Sequence, residues 1–153
     1  MPKPNFSRLW NSYPSNQTPC DDQKPDGTLR WTNQCAIRMS TTLNAEGTIK
    51  VNRGTYSEPK CSHGHARGAE SLANWLWKHH LGRPTIYSSA ATAKSQLATK
   101  KGIIFFKDCF TRTGETAQRG DHIDLWDGTR AAKTKTYNDP GNRSKQVWFW
   151  ELI

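Results

Sequence analysis

Apolar positions change their period part-way along this chain. Phe6, Leu9, Trp10 and Tyr13 recur at helical spacing and predict a short N-terminal helix with one aromatic face. Pro14, Pro19, Pro25 and the Asp26-Gly27 step then break any periodicity up to about residue 30. From Cys35 the spacing is helical again. Ala36, Met39 and Leu43, joined by Ile37 and Ser40, form a stripe, and Gly47 is a suitable C-terminal stop. A long polar loop follows from Thr48 to His65, the length of loop that in a compact domain usually carries function or moves. Ala69, Leu72, Ala73, Leu76 and Trp77 predict a second amphipathic helix over Ala66–His80, ended by Gly82 and Pro84. A weaker helix is expected over Ala90–Thr99.

Beyond Lys101 the pattern becomes extended. Gly102 to Lys107 holds the continuous apolar run Ile103-Ile104-Phe105-Phe106, as in a buried central strand. His122 to Trp126 alternates, with Ile123 and Leu125 on one face and His122, Asp124 and Trp126 on the other. Asp127-Gly128 signals a hairpin, so a strand should return beyond Thr129. Val147 to Leu152 is a last strand. Helices followed by an antiparallel sheet is the order of an α+β fold. With 153 residues the chain fits one domain, taken as 1–153, with one real core.

Charge narrows the partners. The net charge is +9, which favours anionic surfaces such as nucleic acid, lipid or bacterial cell-wall polymers. The basic residues are scattered, dense only at Lys100-Lys101 and from Arg130 to Lys135, whereas a nucleic-acid binder gathers them into a stripe. No nucleic-acid partner is expected. No apolar run reaches the ~18–20 residues of a membrane span, so no membrane insertion is expected. Met1 to Phe6 lacks the apolar segment of a secretory signal peptide.

Two segments carry candidate chemistry. In Asn33-Gln34-Cys35-Ala36-Ile37-Arg38-Met39-Ser40 a thiol opens a helix. There the macrodipole and the unpaired N–H groups favour thiolate, and the same N–H groups can receive an oxyanion. In Gly120-Asp121-His122-Ile123-Asp124-Leu125-Trp126-Asp127-Gly128 an imidazole sits on a strand. Ile123 and Leu125 occupy the opposite face, which leaves His122 to point at the Cys35 helix as general base. A nucleophile on an early helix and a base on the sheet form a papain-like arrangement in miniature.

These two motifs, with Lys101-Gly102-Ile103-Ile104-Phe105-Phe106-Lys107 and Val147-Trp148-Phe149-Trp150, resemble the type VI secretion amidase effectors, most closely the fourth family. The likeness runs from Gln34 to Ile153. It implies a papain-like fold of the NlpC/P60 superfamily, with N-terminal helices packed on an antiparallel sheet. It further implies a cysteine peptidase that cleaves the D-glutamyl–meso-diaminopimelate bond of peptidoglycan stem peptides. The implied life history is that of an antibacterial toxin: made in the producer cytoplasm, injected by the type VI apparatus into the target-cell periplasm, and blocked by a cognate immunity protein. A related family cutting the diaminopimelate–D-alanine cross-link is an alternative. So, from other classes, are a non-catalytic basic module for nucleic acid or an anionic surface, and a small zinc protein.

The family's acidic third member usually lies about eleven positions after the histidine, where this chain has Lys133. A lysine cannot orient an imidazolium. Asp124, on the His122 face, is the first substitute, and Asp139 the alternative. Gln34, Arg38, His63, His65 and Arg67 are candidates for binding substrate, with Arg67 meeting a carboxylate and Glu70 its partner at i+3. The Cys61-x-His63-x-His65 spacing could seed a zinc site with Cys20 or Cys109. One short cluster lacks the second pair that structural zinc motifs carry, so neither metal nor cofactor is expected. An oxidising destination allows one disulfide among Cys20, Cys61 and Cys109, with Cys61–Cys109 favoured and Cys35 free.

Overall fold

In the computed structural model, residues 2–110, 120–129 and 144–153 are described. Among them the elements run α1 (Phe6–Ser12), α2 (Cys35–Glu46), α3 (Ala69–Leu76), a π-helical turn (Trp77–Leu81), β1 (Thr85–Tyr87), α4 (Ala90–Gln96), β2 (Gly102–Phe110), β3 (Gly120–Trp126) and β4 (Gln146–Glu151). The strands form one antiparallel sheet in the order β1-β4-β2-β3, with β3 at an edge among the described residues.

Local chemistry sets the helix ends. Asn5 caps α1 by accepting from the Arg8 N–H at 3.0 Å. Gly47 ends α2 in the left-handed region at φ 98°, its N–H on the Leu43 carbonyl. The second predicted helix is shorter than its apolar pattern. Gly68 caps it, α3 begins at Ala69, and its last turn widens into the π turn before Gly82. β1 has no counterpart in the pattern, because its three residues are held by pairing with β4. The strand expected to return beyond Thr129 falls on residues 130–143, outside the described ones.

The sheet separates two cores. On one face Ile103, Phe105, Ile123, Leu125, Trp148 and Trp150 pack with α1, α2 and α3. On the other, Ile104, Phe106, Trp126, Val147 and Phe149 pack with Ala93 and Leu97 around α4. The run Ile103-Ile104-Phe105-Phe106 is buried throughout, because β2 is central and covered on both faces. Gly102 is fixed by contact: a Cβ there would lie 1.9 Å from the Trp150 carbonyl oxygen. β2 and β3 lose register between Phe106 and Phe110 at a bulge, where Asp108 has φ 53° and its N–H donates to Asp121 Oδ1 at 2.8 Å. No helix among the described residues is long and apolar enough to cross a membrane.

Candidate active site

Cys35 is the first residue of α2 and is buried. Its N–H donates to Asn33 Oδ1 at 3.2 Å, while the N-cap residue Gln34 provides no side-chain cap. α2 and α3 both pack against β3, the strand that carries His122. His122 is buried, and its Nε2–H donates to Asp124 Oδ2 at 2.9 Å. The second Asp124 oxygen accepts from the Leu125 N–H at 2.8 Å. Asp124 is fully buried, so it is no solvated strand carboxylate.

The Cys35 thiol lies close enough to act on the His122 imidazole. Burial alone would push the imidazole pKa down. The hydrogen bonds to Asp124 and Cys35 outweigh it and raise the value to about 9. The Phe106 ring stacks on His122 at 6.0 Å between centroids, 16° from parallel, and fixes its plane from the neighbouring strand.

The face argument for His122 needs correction. The body of α2 packs on the Ile123 and Leu125 face, through Ala36 and Met39. His122, opposite Phe106 in the register, belongs to the other face. Cys35, the first residue of α2, is the helix residue that acts on the imidazole.

Other candidates are engaged elsewhere. The Gln34 amide donates to the Cys20 and Trp31 carbonyls at 3.2 and 2.5 Å. Arg38 Nε donates to the Gln17 carbonyl at 3.0 Å, an anchor for the N-terminal segment. Arg67 does not pair with Glu70. Its guanidinium lies over the Trp31 ring at 3.9 Å, and Glu70 pairs with Lys107 at 3.5 Å. His63 Nδ1 faces Cys20 Sγ at 3.5 Å, and His65 Nδ1 faces Cys61 Sγ at 3.8 Å. Lys133 and Asp139 lie outside the described residues.

The favoured disulfide is also corrected. Cys61 packs with Cys20 and Ile37, whereas Cys109 belongs to the α4-side core. All four thiols are unbridged. Cys109 lies close enough to feel Cys35, and burial first, then Asp121 and Cys35, pushes its thiol up to about 12. The sequence held no signal for Cys109 or Phe106 beside the site, because both arrive through strand register and the bulge.

A thiol, an imidazole and a carboxylate in one hydrogen-bonded series can carry nucleophilic acyl transfer. The sequence model of type VI secretion system amidase effector protein 4 matches residues 31–150. The chain belongs to this family. It is an effector delivered into target cells, where it acts on peptidoglycan as a hydrolase. Cleavage of the D-glutamyl–meso-diaminopimelate bond is the activity of the family, and this membership does not favour the cross-link, zinc-protein or basic-module readings. Among solved structures, the chain is similar to Tae4 in the Tae4–Tai4 effector–immunity complex from Enterobacter cloacae, with 24% identity and TM-score 0.72, over 99% of this chain and 100% of that one. It is also similar to Tae4 of the effector–immunity system Tae4/Tai4 from Salmonella typhimurium, with 23% identity and TM-score 0.70, over 99% and 100%. A structure of the effector Tae4 from Enterobacter cloacae gives 20% identity and TM-score 0.70, over 99% and 98%. No curated protein matches the chain. The α+β fold is thus the papain-like, NlpC/P60-type fold of amidase effector 4.

Proposed function

We propose that Cys35 is the nucleophile of this amidase, His122 its general base and Asp124 the residue that orients His122. The observation that carries this reading is the buried His122–Asp124 pair at 2.9 Å, with the Cys35 thiol on the same imidazole. His122 already holds the thiol proton as imidazolium, and Cys35 sulfur attacks the D-glutamyl carbonyl carbon. The tetrahedral intermediate collapses with cleavage of the C–N bond, and the imidazolium returns that proton to the leaving diaminopimelate amine. A thioester on Cys35 remains. Water then attacks it with His122 again as base, releasing the D-glutamyl carboxylate and the thiol. Asp124 keeps the proton on Nε2, so the other nitrogen faces sulfur. The N-terminal turn of α2 supports the developing oxyanion.

The stem peptides reached are those in the periplasm of the receiving cell, and residues 1–153 act as one amidase domain. The similar structures include an effector–immunity complex and an effector–immunity system, which supports a cognate immunity protein for this chain that covers the Cys35–His122 site.

Digestion of purified peptidoglycan, read by mass spectrometry, tests the chemistry. Wild type should release fragments cut after D-glutamate, and His122→Ala should lose at least ~10²-fold in kcat. A change confined to KM would assign His122 to binding instead. Expression with an added periplasmic signal should lyse Gram-negative cells, and cytosolic expression should not. Equal toxicity from both would point away from the periplasm.

A further inference from the structure

The turn that holds Cys61, His63 and His65 takes no part in the chemistry above, yet it is built with care. Cys61 N–H donates to the His65 carbonyl at 2.9 Å, and Gly64 N–H donates to the Cys61 carbonyl at 2.9 Å. Gly64 closes the turn at φ 84°, a conformation that disfavours any residue with a Cβ. A bridge between Lys60 and Ala66 fastens its base. Three metal-binding side chains at alternate positions are thereby gathered on one knuckle. Cys20, distant in sequence, is buried against it.

We propose that Cys20, Cys61 and His63 hold a zinc ion, with His65 as the fourth ligand. Cys20 Sγ, Cys61 Sγ and a His63 ring nitrogen all lie within 4.8 Å of one another. Zinc binds sulfur at ~2.3 Å and imidazole nitrogen at ~2.0–2.1 Å, so the edges of its tetrahedron measure roughly 3.3–3.8 Å. The Cys20–His63 contact of 3.5 Å and the Cys61–His65 contact of 3.8 Å already have the lengths of two such edges. The rings of His63 and His65 lie side by side, 6.2 Å apart and 16° from parallel, so on binding His65 would turn toward Cys20 to complete the set. Two thiolates and two imidazoles are the donor set of a closed structural zinc site.

The surroundings suit a cation. The Asp22 carboxylate lies within 4.8 Å of a His63 ring nitrogen and accepts from the Ser62 N–H at 2.8 Å and the Trp31 indole at 3.0 Å. It also bonds the Ser62 hydroxyl, so it braces the turn between two ligands. An outer-shell carboxylate of this kind commonly orients a ligating histidine. The consequence reaches the catalytic helix. The Cys20 carbonyl accepts from Gln34, the residue before Cys35, and Ile37 clusters with both cysteines. An ion here would tie the N-terminal segment and the long loop to the start of α2.

The test uses the full chain with Cys35→Ala, reduced, so that the site itself and not the catalytic thiol is measured. One equivalent of zinc should bind by elemental analysis and raise the melting temperature. Cobalt should give the intense thiolate-to-metal absorption of tetrahedral sulfur ligation. His63→Ala should weaken zinc at least as much as losing an outer-shell partner does, ~10–100-fold. Cys20→Ser combined with Cys61→Ser should abolish the cobalt absorption. If that pair fails to fold, displacement of cobalt by zinc in the Cys35→Ala chain gives the same answer. Absence of stoichiometric zinc and of the cobalt absorption would overturn the proposal. So would a Cys20–Cys61 disulfide, recovered by non-reducing peptide mapping from protein exported to the periplasm in the presence of zinc.

Discussion

His122 and Asp124 stand two residues apart on β3, and the imidazole Nε2–H donates to the Asp124 carboxylate at 2.9 Å with both side chains buried. Residues i and i+2 share a face of a strand, so the pairing costs no change of backbone. The carboxylate is pinned in turn by the Leu125 N–H. This short-range unit offers what a carboxylate arriving from a later strand would otherwise supply.

Asp124→Asn should therefore lower kcat by ~10²-fold or more, because an amide no longer holds the proton on Nε2. KM should change little. Asp139→Asn should stay near wild type. Stem-peptide hydrolysis by the two variants, measured side by side, checks the order. An inactive Asp139→Asn beside an active Asp124→Asn would reverse it.

Cys35→Ala should abolish hydrolysis and leave the melting temperature nearly unchanged. The side chain is buried, but the volume removed is one sulfur atom at the end of a helix. Residual turnover at the wild-type rate would remove Cys35 from the mechanism.

His122 gives a pH signature with a definite sign. Its value is raised to about 9 in the folded chain, above the ~6.5 of a free imidazole. Its charged form therefore adds stability that is fully present below ~pH 6.5 and is lost as pH rises through about 9. The imidazolium needed for proton return is lost over the same range, so kcat/KM should fall on an alkaline limb near pH 9. Asp124→Asn should move that limb down toward neutrality. An NMR titration of the imidazole, alongside the pH–rate profile, reads both.

Gly102→Ala should destabilise the fold by about 2–3 kcal/mol, the upper range for overpacking, because the added carbon collides with the Trp150 carbonyl and not with a side chain that can turn away. A lower urea midpoint at unchanged slope would show it. Activity at low temperature should survive in the fraction that remains folded.

Local pattern carried much of the architecture. The apolar stripe from Ala36 to Leu43 and the Gly47 stop define α2 because a helix needs only its own spacing and cap. The central position of β2 was legible from an apolar run without alternation. Cys35 could be proposed because a helix start is a local chemical environment, and His122 with Asp124 because a strand's period is fixed.

Long-range relations were not legible. β1 is three residues that become a strand only beside β4. Arg67 lies ahead of α3 and meets not Glu70 but the face of Trp31, which folding brings within 3.9 Å. Cys61 met Cys20 and not Cys109, because Cys109 is buried in the core on the α4 side of the sheet and Cys61 in a separate cluster with Ile37. Sequence by itself determined which residues can form each element and which side chains are candidates for the chemistry, since helical spacing, caps and strand alternation act over a few residues. Only the tertiary structure decided which elements touch. It set α2 on the Ile123 and Leu125 face and brought its first residue to His122. Register, a bulge and the burial of two separate faces are properties of the packed whole.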